Sequence, residues 1–458
     1  MADGLGIRPS ERRIPPGLPT PLSEGGIPDE LHAHWEAIPH VTPMPTEEPM
    51  QRPVLLFVII SLLVTAGCDS PESLHSRAAQ ALEEDRPADA IRYLEKATRV
   101  WPNEPELHYA LGEAYRNVLY DGPTGLNAAD PAIAPRASRA YEIAIALSPR
   151  QQLNRSGGDP YDVIQEIWGA VAVTHAGRGA ADSARWAFQN GRIAGAYYPA
   201  ILGYSRDVLA TCAPDAILFV GGHRDALPLW YLQAVESLRQ DVTVVNLTLL
   251  NAPWYIRQAR TGHLFCNSSV ATVMADADID QLKSQRWEPH RITVPVGQGR
   301  LEWDVFPTVE GSFIRVQDLV LLDMLTANAG TRPVYFAATV AEPDLAGLRP
   351  FLQLEGLVSR LTPDGGAFNA QRLERHLTET YQFDGLSDPR LAHLTSLQRL
   401  YHHYRMAFIA LVLHKQQTGD TMGSRTILAR MDEVLPPSQL PYPDLRFVMR
   451  LKELETRM

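Results

Sequence analysis

The spacing of apolar residues divides the chain into stretches with different periods. Between residues 73 and 198 apolar residues recur at helical spacing, which predicts amphipathic helices. Between residues 205 and 363 short apolar runs rich in β-branched residues alternate with helical patterns, which predicts an α/β domain. Helical spacing returns in residues 364–458 and predicts one or more helical hairpins. The expected fold class is therefore α/β plus all-α.

Residues 1–67 follow neither pattern. Residues 1–49 are rich in proline and lack apolar periodicity, so we expect them to be disordered and Met50 to be the true start. Residues 54–67 form an apolar run behind a short basic stretch. This run is short for a membrane span and typical of a signal-peptide core, although an uncleaved membrane anchor is the alternative.

The apolar run ends in Thr65-Ala66-Gly67-Cys68. This ending resembles the bacterial lipobox, with Thr65 where leucine is usual. The resemblance implies that residues 50–67 are a lipoprotein signal peptide and that Cys68 carries a lipid. We then expect the remaining chain to be anchored to a membrane through Cys68, in the cell envelope, facing the periplasm or the exterior.

Segment 73–198 contains three paired helical patterns. The second pair includes Leu111-Gly112-Glu113-Ala114-Tyr115 and, after an insertion at residues 120–135, continues as a helix from Ala140. The units resemble the tetratricopeptide repeat. That resemblance implies a helical stack with a concave surface for a protein partner. A spacer that only supports the following domain is the alternative.

Segment 205–363 alternates predicted strands and helices. Strands are predicted at residues 216–220, 241–250 and 332–340, with helices at 227–238 and 316–328 between them. Strand, helix and strand in succession predict crossover connections and a small parallel, Rossmann-like sheet. Ligands of such sheets bind outside the carboxyl ends of the strands.

Polar, glycine and aromatic residues follow the first two predicted strands. We predict that a ligand is bound by Gly221, Gly222, Arg224, Asn246, Asn251, Trp254 and Tyr255. His223 and Asp225 are candidates for a catalytic acid/base pair, and Arg224 for holding an anion. Purely structural interpretations are the alternative. Asp225 would then be the N-cap of a helix, and the aromatic residues would be parts of the core.

Several blocks of this segment resemble the C-terminal soluble region of a bacterial membrane protein family. The blocks are residues 228–236, 241–251, 253–258, 332–336 and 355–363. Members of that family are multi-spanning proteins of unknown function or are described as protein O-mannosyltransferase-like. The resemblance covers about residues 214–363 and implies a link to protein O-glycosylation.

The family's transferase activity belongs to its membrane-embedded part, and outside residues 54–67 this chain has no apolar run that could span a bilayer. Where the family usually has Gly-Asp-Asn-Asp-Thr, this chain has Gly222-His223-Arg224-Asp225-Ala226. An imidazole and a guanidinium thus replace one carboxylate and an amide of the family's loop.

Composition narrows the possible partners. The net charge of −11 argues against a nucleic-acid partner, since phosphate binding needs clustered Lys and Arg. Three cysteines are too few for a disulfide framework, and Cys212 and Cys266 are either a disulfide or two buried thiols. No metal signature is present, and His402-His403 has no acid nearby at ligand spacing. We therefore expect no metal and no cofactor.

Together these features favour a membrane-tethered lipoprotein that acts as a non-catalytic binding or scaffold protein, accessory to protein O-glycosylation. We expect a protein partner on the helical repeats, and a glycan or a further partner on the α/β domain. The alternative is an enzyme of glycan metabolism, either a glycosyltransferase accessory subunit or a hydrolase, with its site at residues 221–225.

Overall fold

Fourteen α-helices, one five-stranded sheet and two two-stranded sheets are present in the part of the chain that the computed structural model describes. The structure describes residues 70–120, 128–149, 159–262, 265–365, 369–386, 394–442, 448–449 and 451–452. The predictions for residues 1–49, for the signal at 50–67 and for Cys68 lie outside these residues.

Six consecutive helices open the described chain, and each packs on the next. They are α1 (Pro71–Glu83), α2 (Pro87–Val100), α3 (Pro105–Leu119), α4 (Ala134–Leu147), α5 (Pro160–Gly177) and α6 (Ala181–Ile193). Four of them begin with a proline, which suits the first helical position because its missing N–H has no partner there. The helices predicted for residues 73–198 are thus present. Their tetratricopeptide character stays a prediction.

Helix α4 begins earlier than the sequence indicated. It starts at Ala134, inside the predicted insertion, and not at Ala140. Pro135 lies in its first turn, where a proline fixes the backbone dihedral that a helix needs. Within the hairpin of α3 and α4, a Cβ on Gly112 would lie 2.7 Å from the ring of Tyr141, so only glycine lets these helices approach so closely.

Helix α7 (Pro199–Thr211) leads into the sheet, whose strand order is β2-β1-β7-β9-β8. The strands are β1 (Ile217–Val220), β2 (Thr243–Asn246), β7 (Val334–Ala337), β8 (Leu352–Leu354) and β9 (Val358–Leu361). Helix α8 (His223–Val235) connects β1 to β2, and α11 (Val316–Asn328) precedes β7.

The prediction of a parallel sheet is only partly right, because the sheet is mixed. Strands β1, β2 and β7 are parallel, whereas β9 pairs antiparallel with both β7 and β8. Short connections without a crossover helix follow β7, and such connections favour antiparallel neighbours. The Rossmann-like type of the domain stays a prediction.

The second strand is shorter than predicted. It ends at Asn246 and not at Leu250, and the chain continues as a 3₁₀ turn over Thr248–Asn251. The amide oxygen of Asn246 accepts hydrogen bonds from the Thr248 hydroxyl (3.0 Å) and from the backbone N–H of Leu249 (3.3 Å). An asparagine that bonds its own following backbone in this way ends a strand in a turn.

Residues 253–314 contain elements that the sequence analysis missed. They are α9 (Pro253–Thr261), α10 (Asp276–Asp280), β3 (Gln285–Arg286), β4 (His290–Val296), β5 (Gly299–Val305) and β6 (Phe313–Ile314). Strands β4 and β5 pair as an antiparallel hairpin, and β3 pairs with β6.

The C-terminal part is helical, as predicted. It contains α12 (Ala370–Arg375), a π-helical turn at His376–Thr380, α13 (Thr395–Gln417) and α14 (Thr421–Val434). Arg405 of α13 is buried, and its guanidinium donates hydrogen bonds to the carbonyl groups of Leu435, Leu440 and Pro441. This side chain fixes the segment that follows α14.

The helical segment and the sheet share one core. A Cβ on Gly169 of α5 would lie 2.5 Å from both methyl carbons of Leu227 on α8, so the two helices meet at this glycine. Residues 69–458 form one compact unit, and the domain boundaries predicted at residues 73–198, 205–363 and 364–458 stay predictions.

Two further findings concern single residues and single helices. Cys212 and Cys266 are both buried free thiols, so they do not form a disulfide. Among the described helices, none combines the length and the apolar character needed to cross a bilayer.

Candidate functional site

A cavity of about 1050 Å³ lies at the carboxyl ends of β1 and β7. The chain leaves β1 toward β2 on one side, while β7 pairs with the other side of β1. The crevice between two such strands is where ligands of open α/β sheets bind. Its volume is at the upper end of the roughly 300–1,000 Å³ typical of small-molecule sites. Helices α5, α7 and α13 wall the cavity above the sheet edge.

Five of the predicted site residues meet at this cavity: Gly221, Gly222, His223, Arg224 and Asp225. Neither glycine has a positive φ. A Cβ on Gly221 would find its nearest neighbour at 3.5 Å, and one on Gly222 would meet only the Thr248 hydroxyl, at 3.4 Å. The fold itself therefore does not require glycine at these two positions. The bare backbone instead leaves the cavity floor open to a ligand.

His223 has a carboxylate partner on the helical segment. Its Nε2 lies 3.6 Å from Oε2 of Glu166, which belongs to α5. The His223 side chain remains 37% exposed and lines the cavity, whereas the Glu166 side chain is 15% exposed. A histidine held on one side by a carboxylate and open on the other can exchange protons with a bound ligand.

Glu166 is held in its ionised form by several neighbours. It accepts hydrogen bonds from the Tyr120 hydroxyl (3.1 Å) and from Nη2 of Arg116 (3.3 Å). Burial by itself would raise the pKa of Glu166. The contacts with His223, Arg116 and Tyr120 outweigh burial and hold this pKa at about 2. Glu166 is therefore negatively charged at neutral pH, at the cavity wall.

Asp225 lies in the first turn of α8 and not at its N-cap. The N-cap position belongs to Gly222, so the prediction of Asp225 as the cap is wrong. A carboxylate in the first turn still interacts favourably with the positive end of the helix dipole. Burial raises the pKa of Asp225 above its ordinary value, although His223 and the backbone N–H of Gly221 act in the opposite direction.

Arg224 and Arg399 both act on a buried acid of the cavity, Asp162. Nη1 of Arg224 is 3.7 Å from Oδ2 of Asp162, whose side chain is 6% exposed. Arg399, an exposed residue near the start of α13, lines the same cavity. Burial and the neighbouring Asp159 raise the pKa of Asp162 to about 6, while Arg224 and Arg399 act to lower it.

The wall formed by α7 and α13 carries an aromatic and imidazole pair. The Tyr204 hydroxyl and Nδ1 of His403 are hydrogen-bonded at 3.2 Å, and both residues line the cavity. Burial and the adjacent His402 lower the pKa of His403 to about 4, so its imidazole is neutral near pH 7. His402 lines the cavity as well.

The other predicted binding residues lie outside the lining of this cavity. Asn246 is buried in the turn described above, and its backbone N–H donates to the Tyr255 hydroxyl at 2.8 Å. Asn251 exchanges hydrogen bonds with Gln317 at the start of α11. Trp254 packs edge-on against the buried ring of Tyr255. In the structure these four residues stabilise the turn and helices after β2.

Sequence reasoning missed the residues that α5 and α13 bring to the cavity. Asp162, Gln165 and Glu166 stand at positions i, i+3 and i+4 of a helix that is otherwise mostly apolar and buried. Such spacing places them on one helix face, so a polar stripe in a buried helix was a usable signal. His403 bonds Tyr204, which stands 199 positions earlier in the chain, so local spacing does not indicate this pair. Within the described residues no group of histidine, cysteine or acidic side chains is arranged to hold a metal ion.

Comparison with known proteins gives one match. Residues 202–286 and 296–377 are similar to the family described as TMEM260-associated domain 2. The resemblance predicted for residues 214–363 is thereby confirmed in its coarser form, a domain linked to a membrane protein family. No curated protein and no solved structure matches the chain significantly. The matched residues include the cavity floor and α7 from Leu202 onward, whereas Glu166, Asp162 and Arg399 lie outside them.

Proposed function

We propose that this protein is a membrane-tethered binding protein of the cell envelope that holds a glycan in the cavity beside β1 and β7. The observation that carries the proposal is the convergence on one cavity of side chains from the sheet edge, α5 and α13. Small-molecule sites in open α/β sheets are expected at this position. The fold does not require glycine at positions 221 and 222, and the bare backbone there leaves the floor of the cavity open.

The polar groups around the cavity suit a polyhydroxylated ligand. A sugar hydroxyl donates one hydrogen bond and accepts others, so its site needs acceptors and donors side by side. Glu166 and Asp162 supply carboxylate acceptors, and His223 and Arg224 supply N–H donors. Tyr442, a partly exposed aromatic residue, also lines the cavity and adds ring surface on which a sugar can pack.

A role beside protein O-glycosylation is supported by the match to a TMEM260-associated domain and by the sequence blocks that resemble the O-mannosyltransferase-like family. In this proposal Cys68 carries the lipid that holds the protein at the membrane. Helices α1 to α6 form a tetratricopeptide-like stack that receives a protein partner, for which a multi-spanning glycosyltransferase is the leading candidate.

Calorimetric titration of the full chain with mannosides, manno-oligosaccharides and O-mannosylated peptides tests the binding role. We expect saturable heat from at least one of them, and its loss in Gly222→Leu, whose side chain would enter the cavity above Thr248. Glu302→Leu, on an exposed position of β5, is the control for a new surface leucine. Absence of binding to every ligand contradicts the proposal.

Capture of the protein from its native envelope, with palmitate labelling, tests the tether and the partner. A labelled bait whose label disappears in Cys68→Ala supports the lipid anchor. Recovery of a multi-spanning glycosyltransferase supports the accessory role. An unlabelled bait that recovers no envelope protein contradicts both.

A catalytic role is the second candidate, and the pair of His223 and Glu166 favours it. A carboxylate that orients an imidazole is a common general acid/base arrangement, typically worth 10²–10⁴-fold in rate. The test is release of sugar from O-mannosylated peptides, followed by chromatography. Turnover that falls at least about a hundredfold in His223→Ala and Glu166→Gln, with ligand binding retained, would favour an enzyme. Binding without turnover leaves the binding role in place.

A further inference from the structure

Two arginine side chains face the cavity with unused hydrogen-bond donors. Arg224 is 53% exposed, and its closest carboxylate oxygen, on Asp162, is 3.7 Å away, beyond hydrogen-bonding distance. Arg399 is exposed and makes no hydrogen bond or ion pair to a described residue; its charge acts only at longer range, on Asp162. Each guanidinium has five N–H donors in a fixed plane.

The start of α8 adds backbone donors at the same place. The backbone N–H groups of His223 and Arg224 donate to no backbone carbonyl of the described chain, as is usual for the first turn of a helix. His223 and Arg224 both line the cavity, so these two N–H groups lie in the same part of it as the Arg224 side chain. Helix N-termini with an adjacent arginine are favourable positions for an oxyanion.

The acids of the cavity are mostly engaged with other partners. Glu166 is bound by Arg116, Tyr120 and His223. Asp344 receives hydrogen bonds from Arg315 (2.8 Å) and Gln317 (3.0 Å). Asp162 and Asp225 are buried, and burial raises the pKa of each above its ordinary value; Asp162, with a pKa of about 6, still carries a negative charge near pH 7. Arg399 forms no ion pair with any of these acids in the described part of the chain, so its positive charge faces the cavity unpaired there.

We propose that the ligand of this cavity is an anionic sugar, whose phosphate or carboxylate group is held jointly by Arg224 and Arg399. This inference rests on the proposed glycan-binding function and adds the chemical class of the ligand. Bidentate contacts from two guanidinium groups suit an oxyanion with two or three free oxygens. The hydroxyl groups of the sugar then face His223 and Glu166.

The test compares each neutral hexose with its charged counterparts. Glucose, mannose and galactose, their 1-phosphates and the matching hexuronates are titrated into the full chain, with inorganic phosphate alone as a further probe. We expect a 1-phosphate or a hexuronate to bind at least about tenfold more tightly than the neutral hexose. The charged class that binds more tightly identifies the oxyanion. Raising the salt concentration should weaken this binding.

Variants assign the effect to the two arginines. Arg224→Gln and Arg399→Gln should each remove most of the preference for the charged sugar, measured as the ratio of its affinity to that of the neutral hexose. Arg224→Lys, which keeps the charge but not the planar fork, should retain part of it. Arg349→Gln is the matched control, because Arg349 is 67% exposed and its nearest carboxylate, on Glu342, is 3.8 Å away.

The outcomes separate this inference from the proposed function. Equal binding of neutral and charged hexoses, unaffected by the arginine variants, overturns the anionic class and leaves glycan binding standing. Binding of inorganic phosphate as tight as that of a sugar phosphate overturns the sugar part of the inference. Failure of all probes, and of the mannosides above, overturns both. Thermal unfolding of each variant shows whether it is folded, and substitutions at such exposed sites should change stability little.

Discussion

Nε2 of His223 lies 3.6 Å from Oε2 of Glu166, and the two residues come from opposite sides of the junction between the helical segment and the sheet. His223 follows β1 at the sheet edge, whereas Glu166 lies in the middle of α5. The cavity is therefore complete only when α5 is docked on α8. Ligand binding and the packing of these two helices should for this reason be coupled.

Glu166→Gln should destabilise the protein most above about pH 4.5. The folded pKa of about 2 lies below the unfolded value near 4.3, so Glu166 contributes stability that is present above pH 4.3 and lost as pH falls toward 2. Removing one partner of such a buried pair costs about 3 kcal/mol. Urea unfolding of both proteins between pH 2 and 7 measures the difference.

The difference in unfolding free energy between wild type and Glu166→Gln should shrink as pH falls from 4.3 toward 2. Glu302→Gln, at an exposed position of β5, is the control and should leave the curve nearly unchanged. A gap that is constant from pH 7 to pH 2 would show that Glu166 does not stabilise the fold through its charge.

Asp207→Asn should reduce the loss of stability between pH 4 and pH 7. Asp207 is buried, and burial raises its pKa to about 7, although the Tyr404 hydroxyl donates a hydrogen bond to it at 2.6 Å. The folded state thus keeps a proton that the unfolded state releases near pH 3.9, so stability falls as pH rises between these values. Asparagine has no proton to lose.

Unfolding free energies at pH 4, 5, 6 and 7 check this prediction. The unfolding free energy of Asp207→Asn should rise relative to that of wild type as pH rises. Asp162 and the other titrating groups are the same in both proteins, so this difference reports on Asp207 alone. Tyr404→Phe is the companion variant, since it removes the hydroxyl that favours the ionised carboxylate and should steepen the pH dependence. Identical slopes in wild type and Asp207→Asn would contradict the assignment.

Elements of the fold could be predicted wherever the apolar residues recur with a clear helical or strand spacing. Helices α1 to α6 and strands β1 and β7 follow from the apolar spacing. The hairpin of β4 and β5 carried a signal that was overlooked: Leu301, Trp303 and Val305 alternate with polar residues and are all buried. Strands β8 and β9 lack the continuous apolar run of β1 and β7, because Gln353 interrupts the first and Ser359 and Arg360 interrupt the second.

The site could be predicted only by the rule that ligands of parallel sheets bind outside the carboxyl ends of the strands. That rule found residues 221–225, because a ligand site is tied to the end of β1. It misplaced Asn246 and Tyr255, which bond each other and the local turn. Glu166 and His403 reach the cavity through tertiary packing, since α5 and α13 belong to segments far from β1 in the sequence. Local sequence patterns do not indicate which helix face will cover a sheet edge.

Gly169→Ala should destabilise the docking of α5 on α8. Its Cβ would lie 2.5 Å from both methyl carbons of Leu227, a distance that real contacts do not reach. Overpacking of this kind costs roughly 1–3 kcal/mol, against which alanine returns about 1 kcal/mol of helix propensity. Urea unfolding measures the net loss, and ligand titration should show a weaker affinity because Glu166 lies on the same helix.

Leu227→Ala in the Gly169→Ala background provides the control. If the clash is the cause, the double variant should be more stable than the sum of the two single losses predicts, since the added methyl group would occupy space that Leu227 has vacated. Strict additivity of the two substitutions would contradict the contact between these positions.

Arg405→Met should loosen the segment behind α14 and weaken ligand binding together. The side chain is 2% exposed, and its guanidinium donates hydrogen bonds to the carbonyl groups of Leu435, Leu440 and Pro441. It also lies over the ring of Tyr442, 4.6 Å from the centroid. Methionine fills part of this space but satisfies none of the carbonyl groups, which should cost about 2–4 kcal/mol.

Hydrogen exchange of residues 435–442, measured beside ligand affinity, distinguishes a local effect from general unfolding. Pro441 and Tyr442 line the cavity, so faster exchange of the non-proline amides of residues 435–442 should accompany weaker binding, while the amides of β1 and β7 remain protected. Arg430→Met, at a more exposed position of α14 paired with Glu433, is the matched control and should change neither quantity. Unchanged exchange in Arg405→Met would show that the segment is held by its apolar contacts, because the three carbonyl groups would then not depend on the arginine.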